Sequence, residues 1–179
     1  MIHLYITFNM RLISLISILV LTSCSHYNLV TTENFPFETI YVHIINNDTY
    51  APNIHVIFQN QIRESIVERS PIRISKDSIN SDVQLQINLS DYKRGVSSRS
   101  SSDPGRFNAL NLSLDASFSL YDNRKDAYIV KNATLTESAP IYFDQESQQD
   151  NTREVEYQKL PILTRKLADS IVNQITSNW

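Results

Sequence analysis

A chain of 179 residues can bury one sizeable core, and 16 Lys and Arg against 19 Asp and Glu leave a formal net charge of −3, which argues against general nucleic-acid binding. Its only two glycines, Gly95 and Gly105, exclude glycine-rich phosphate loops, and one cysteine excludes a disulfide within the chain.

The first informative stretch is Leu12 to Ser25, LISLISILVLTSCS. Arg11 precedes an apolar run from Leu12 to Leu21, and Leu21-Thr22-Ser23-Cys24 closes it. Charge, short apolar run and small residues before a cleavage point make a secretory signal. The run is too short for a membrane-spanning helix, which takes about 20 apolar residues. Because it ends on the sole cysteine, it resembles the lipobox of bacterial lipoproteins, in which that cysteine becomes the acylated first residue. An ordinary secretory signal with a chance cysteine is the alternative. Residues 1–23 are therefore expected as signal peptide, Cys24 as the lipidation site and 24–37 as a tether, with 38–179 as the folded domain. Met10-Arg11 would also make a conventional start, so the true start is open between Met1 and Met10. Ser25, where an Asp would mark inner-membrane retention, implies the outer membrane, lipid-anchored on the periplasmic side. Several acyl chains, palmitate among them, anchor more stably than one.

Glu38 to Ile45 reads as a strand, with Ile40, Val42 and Ile44 on one face and Tyr41 and His43 on the other. Asn46 to Thr49 is turn chemistry. Pro52 suits the first turn of a helix carrying Ile54, Ile57, Phe58, Ile62 and Ile66, which Ser70-Pro71 ends. Ile72 to Ser75 is a possible short strand. In Val83 to Ser90 the residues Val83, Leu85, Ile87 and Leu89 alternate with Gln84, Gln86, Asn88 and Ser90, and Leu110 to Tyr121 repeats the pattern. Both read as antiparallel strands with one buried and one polar face. Asp122 to Asp126 turns into a further strand, Ala127 to Ser138. A closing helix from about Lys159 to Ser177 carries Leu163, Leu167, Ile171 and Ile175 at i,i+4 spacing, with Pro161 in its first turn. Lys93 to Asn108 and the acidic Asp144 to Glu156 are expected as long connections. The predicted fold is α+β, a two-layer sandwich with two amphipathic helices packed on one face of a mostly antiparallel four-stranded sheet. Its strand–helix–strand start predicts a right-handed crossover.

Catalytic and metal patterns are missing from the sequence. His26, His43 and His55 are scattered without paired-ligand spacing, and no GxSxG elbow occurs. Asp91, Asp115 and Asp122 make no acid–base pair. The chain reads as a non-enzyme needing neither cofactor nor metal. Lys93, Arg94, Arg99 and Arg106 do concentrate cations in one connection, among Ser97, Ser98, Ser100, Ser101 and Ser102. Guanidinium forks and hydroxyls suit phosphate, and the alternative is a solvated loop.

Thr39 to Ile74, TIYVHIINNDTYAPNIHVIFQNQIRESIVERSPIRI, resembles the opening of the LPS-assembly lipoproteins, the LptE family. Ser81 to Leu89 with Asp91-Tyr92 is similar to their next strand, and the closing helix to their ending. The resemblance spans nearly all of the chain after Cys24, in pattern and order rather than in a diagnostic motif. It implies a plug inside the LPS-assembly β-barrel of the outer membrane (LptD-type), assisting that barrel's assembly and gating and delivering lipopolysaccharide to the outer leaflet. The phosphates of lipopolysaccharide would then be the anions for the basic connection. An amide- and hydroxyl-rich sheet face would suit a wet barrel lumen, or be an ordinary solvated face. The acidic stretch from Asp144 departs from the family pattern. Alternatives are an auxiliary lipoprotein of a periplasmic lipid or solute transporter, a structural envelope lipoprotein, and, least favoured, a lipid-anchored enzyme.

Overall fold

A computed structural model of the chain describes residues 35–51, 53–99, 101, 107–143 and 152–177. The expected signal peptide and the lipidation site Cys24 lie outside these residues, as do Pro52, Arg106 and the acidic segment 144–151. The elements run β1 (Thr39–Val42), β2 (Asn46–Asn47), α1 (Ile54–Arg69), β3 (Arg73–Ile74), β4 (Val83–Arg99), β5 (Phe107–Asp122), β6 (Ala127–Tyr142) and α2 (Thr152–Thr176).

The fold is α+β as expected, but the sheet is mixed and six-stranded rather than four-stranded and mostly antiparallel. Its order is β3-β1-β4-β5-β6, with β2 also paired to β4. β1 lies parallel to both β3 and β4, and β2 is parallel to β4. The β4-β5-β6 part is an antiparallel meander. Parallel neighbours need a crossover, and α1 supplies it between β1 and β3.

Alternation decides which sheet face is covered. Val83, Leu85, Ile87 and Leu89 of β4 are buried, as are Leu110, Leu112, Leu114, Ala116, Phe118 and Leu120 of β5. They join Ile54, Phe58, Ile62 and Ile66 of α1 and Leu163, Leu167, Ile171 and Ile175 of α2 in one core. The two helices are also pinned to each other. Arg69 of α1 grips Asp169 of α2 through Nε at 2.8 Å and Nη2 at 2.6 Å, and Ser65 Oγ donates to the same carboxylate at 2.7 Å.

Four local expectations are corrected. The first strand stops at Val42, and Ile44 is 89% exposed while Ile45 is buried. The chain steps out of strand geometry between β1 and β2, so the alternation through Ile40 and Val42 skips a beat. The connection from Lys93 to Asn108 is largely strand: β4 runs to Arg99 and β5 starts at Phe107. A register shift between Leu89 and Asp91 marks a bulge there. One inserted residue reverses the pleat, so Tyr92, Arg94 and Val96 come opposite the inward Leu114, Leu112 and Leu110. Finally, α2 begins at Thr152, inside the expected acidic connection, and that leaves Pro161 in its interior rather than in its first turn.

Candidate functional site

The sheet has one face without a covering element among the described residues, and the sequence makes that face polar. It carries Tyr41 and the neighbouring His43, then Gln84, Gln86 and Asn88 of β4, and Ser113, Ser117 and Ser119 of β5. At one end the groups support each other. Gln84 Oε1 lies 2.7 Å from His43 Nε2, and Gln84 Nε2 donates to Asn123 Oδ1 at 2.7 Å. Asn123 in turn donates to the carbonyls of Ser78 and Ser81. The His43 ring stands edge-on to Tyr41 at 4.9 Å between centroids. This chain of bonds ties β1, β4 and the β5–β6 turn together below the open surface.

Further along β4 the side chains are freer. Gln86, Asn88, Ser117 and Asn132 line a shallow hollow of about 360 Å³ with His43 and Ile44 at its rim. Asn88 donates to Asp48 Oδ2 at 2.9 Å, and its Oδ1 has no partner. Asn132 holds a left-handed backbone, φ 51, at the irregularity where β6 skips register, and its N–H donates to Ser119 Oγ at 2.9 Å. What the hollow offers is donors and acceptors without net charge, suited to another polar, neutral surface.

The expected basic cluster is divided by the strand. Lys93 lies on the open face between Asp91 at 2.9 Å and Asp115 at 3.1 Å. Hydrogen bonds to Asp91 and then Asp115 push its ammonium above the ordinary lysine value, so it stays charged but internally compensated. Arg94, one residue on, lies on the helix side with Nη1 3.2 Å from Glu156 Oε2. Arg99 is exposed at the end of β4, and Arg106 is outside the described residues. Consecutive strand residues point to opposite faces, so Lys93 and Arg94 do not share one patch. Among the described residues, no group of three or more His, Cys, Asp or Glu could hold a metal ion.

Sequence reasoning missed Asn123 and Asp82. Asn123 looked like ordinary turn chemistry, yet it buttresses the open face. Asp82 Oδ2 accepts from the backbone N–H groups of Glu38 at 2.8 Å and Thr39 at 2.9 Å, and so starts β1. Partial burial raises this carboxyl, but the Glu38 and Thr39 donors and Arg124 outweigh it and hold it below the usual carboxylate value. His43, which the alternation puts on one face with Tyr41, does line the open face.

A family model described as lipopolysaccharide-assembly, LptE, matches residues 37–175. Among solved structures, the chain is similar to a minor lipoprotein from Acinetobacter baumannii, at 16% identity over 81% of this chain and 95% of that one, with a TM-score of 0.52. It is similar to rare lipoprotein B from Shewanella oneidensis at 13% identity, covering 79% and 96%, with a TM-score of 0.54. A hypothetical protein from Chlamydia trachomatis gives 9%, 79% and 99%, and 0.53. At these identities the likeness to solved structures is one of fold. No curated protein matches the sequence.

Proposed function

The chain belongs to the LptE family of lipopolysaccharide-assembly proteins, and from that premise we propose that it is an outer-membrane lipoprotein, acylated at Cys24, that docks its open sheet face inside an LptD-type barrel. There it assists the barrel's assembly and gating and the delivery of lipopolysaccharide to the outer leaflet. The observation that carries the reading is the open face itself. A face meant only for solvent gains from charge, whereas this one offers mostly amides and hydroxyls, and its Lys93, Asp91 and Asp115 are paired with one another. A large barrel lumen is polar and water-filled, and a face made mostly of uncharged hydrogen-bonding groups can exchange its water for barrel groups with few charges to desolvate. The phosphates of lipopolysaccharide are assigned to Arg99 and Arg106 of the β4–β5 connection, since Lys93 is held by Asp91 and Asp115 and Arg94 by Glu156.

The test is affinity purification of the tagged chain from its own envelope, parent against Gln86→Lys with Ser117→Lys. The parent is expected to recover the barrel, and the doubly charged face is expected to lose it while keeping the parent's circular dichroism and melting temperature. A barrel retained by the variant overturns docking through this face. Recovery of inner-membrane transport components by the parent, with no barrel, overturns the partner. For lipopolysaccharide, Arg99→Ala with Arg106→Ala is expected to weaken binding, with the loss shrinking as salt rises.

A further inference from the structure

The sheet ends on β3 at one side and on β6 at the other, and the two edges differ. β3 is 2 residues long, whereas β6 runs for 16, from Ala127 to Tyr142. β5 pairs with one side of β6, and among the described residues no strand pairs with the other. One bond fixes which backbone groups point outward. The Phe143 N–H donates to the Asn108 carbonyl at 3.0 Å, so these two are a hydrogen-bonded pair of the β5–β6 ladder. Bonded and unbonded pairs alternate along an antiparallel ladder. Followed back through the register, Pro140, Ser138, Thr136 and Thr134 turn their backbone groups away from β5, and the residues between them turn toward it. Two details agree. Pro140, which has no N–H, stands where the ladder to β5 needs none, and the Ser138 carbonyl reaches outward to accept from Lys166 Nζ at 3.1 Å.

Exposed edges are ordinarily blunted by charge, proline or a bulge. In β6 such devices stand at the two ends of one stretch and leave its middle clear. Asn132, at φ 51 beside the register skip, closes one end, and Pro140 closes the other. Between them Ala133 to Ala139 keeps unbroken register with β5. Glu137, the one charged residue of that stretch, lies on the helix side, where it accepts from Ser170 Oγ at 2.6 Å. Thr134, Thr136 and Ser138 are exposed on the open face, opposite Ser117, Asp115 and Ser113. Threonine suits a pleated surface and pairs well across strands. Leu135, on the helix side, is only partly buried, so a further strand would also cover apolar surface.

We propose that an extended segment of the barrel adds to this edge as a further strand, bonded backbone to backbone with Thr134, Thr136 and Ser138. The inference rests on the barrel partnership proposed above and names a contact that makes it. Continuity selects this occupant. The side chains of Thr134, Thr136 and Ser138 stand on the same open face as Gln86 and Ser117, so a partner seated on that face has the edge of β6 within reach. These outward side chains are uncharged, like most of the face beside them. Main-chain bonds supply the affinity in strand addition, and the irregular residues Asn132 and Pro140 limit its length. Lys166 yields the Ser138 carbonyl to the new strand, which its flexible stem allows.

The experiment is affinity purification of the tagged full chain from its own envelope, parent against Thr136→Pro and Thr136→Ala. Proline deletes the outward N–H at the middle of the stretch and keeps a strand backbone, as Pro140 already does. Alanine keeps that N–H and deletes only the side chain, whose hydroxyl donates to Asp115 Oδ1 at 2.8 Å. The parent and Thr136→Ala are expected to recover equal barrel, and Thr136→Pro at least tenfold less with the parent's circular dichroism. Amide hydrogen exchange resolved to single residues, on the parent complex and the parent chain alone, decides the matter where proline disturbs the fold. Thr134, Thr136 and Ser138 are expected to slow at least tenfold in the complex, while Leu135 and Glu137 are protected in both. Barrel retained by a folded Thr136→Pro chain overturns strand addition and leaves the partnership standing, as does unchanged exchange at those three amides. A loss from Thr136→Ala as large as from Thr136→Pro makes the side chain the contact and overturns backbone pairing. A Cys24→Ala chain that dimerises in analytical ultracentrifugation, and stops doing so with Thr136→Pro, gives the edge to a second copy and overturns the barrel segment. A parent that recovers no barrel overturns the partnership itself, and the strand addition with it.

Discussion

Three neighbouring positions of β4 give the assignment of sheet faces a quantitative test. Leu85 is fully buried against the helices, Gln84 is bonded on the open face, and Gln86 is exposed there. Leu85→Ala removes buried methyl groups and leaves a void, so it is expected to cost about 2–5 kcal/mol. Gln84→Ala breaks the bonds to His43 and Asn123. At about 0.5–1.5 kcal/mol net for each hydrogen bond, with water able to reach the half-exposed partners, about 1–2 kcal/mol is expected. Gln86 has no side-chain hydrogen bond among the described residues, so its replacement by Ala is expected to stay within about 0.5 kcal/mol. Urea unfolding followed by far-ultraviolet circular dichroism measures all three on the Cys24→Ala background. With a slope of about 2 kcal/mol per molar urea, a loss of about 3 kcal/mol moves the midpoint by about 1.5 M. Equal losses at Leu85 and Gln86 would refute the face assignment. Equal losses at Gln84 and Gln86 would refute the bonded chain from His43 to Asn123.

Asp82→Asn is expected to cost about 1–2 kcal/mol at neutral pH, because charge-assisted bonds to the start of β1 become neutral ones. The native carboxyl is held below its unfolded value of about 3.9, so its contribution is full above that pH and fades as pH falls through the lower folded value. The gap between parent and variant should therefore close in acid, and denaturant curves from pH 7 to 2 would expose a constant gap. Pro161→Ala restores a donor for the Tyr157 carbonyl inside α2, and is expected to stabilise by about 2 kcal/mol after the entropy returned to the unfolded chain. A calorimetric melting temperature at or below the parent's would contradict this. Cys24→Ala is expected to abolish labelling by an alkyne fatty acid, since no other thiol exists; undiminished label would end the lipoprotein assignment.

The β4–β5 hairpin shows where a local pattern stops being informative. From Lys93 to Ser101 the residues are almost all polar, so no face is distinguished and a loop is the natural reading. A signal was present elsewhere: the alternation of Leu110 to Leu120 in β5 is longer than that of Val83 to Leu89 in β4. An antiparallel strand of that length needs a partner beyond Leu89, and the chain next to it in sequence supplies one. The start of α2 went unread for a related reason. Thr152 to Lys159 contains good helix formers but has little of the apolar stripe that begins at Leu160.

By itself the sequence determined the α+β class, the buried faces of β4 and β5, and the apolar stripes of both helices. Each of these is a repeat of two or about four residues, written within one element and enforced by burial. It also determined the resemblance to the LptE family, which rests on the order of those same elements. Only the tertiary structure decided the parallel edge of β1, β2 and β3, the bulge at Ser90 and the separation of Lys93 from Arg94 onto opposite faces. It also put β6 at an edge of the sheet. These depend on backbone pairing between segments far apart in the chain, and a backbone hydrogen bond is indifferent to the side chain that carries it. No local period can record such a partner.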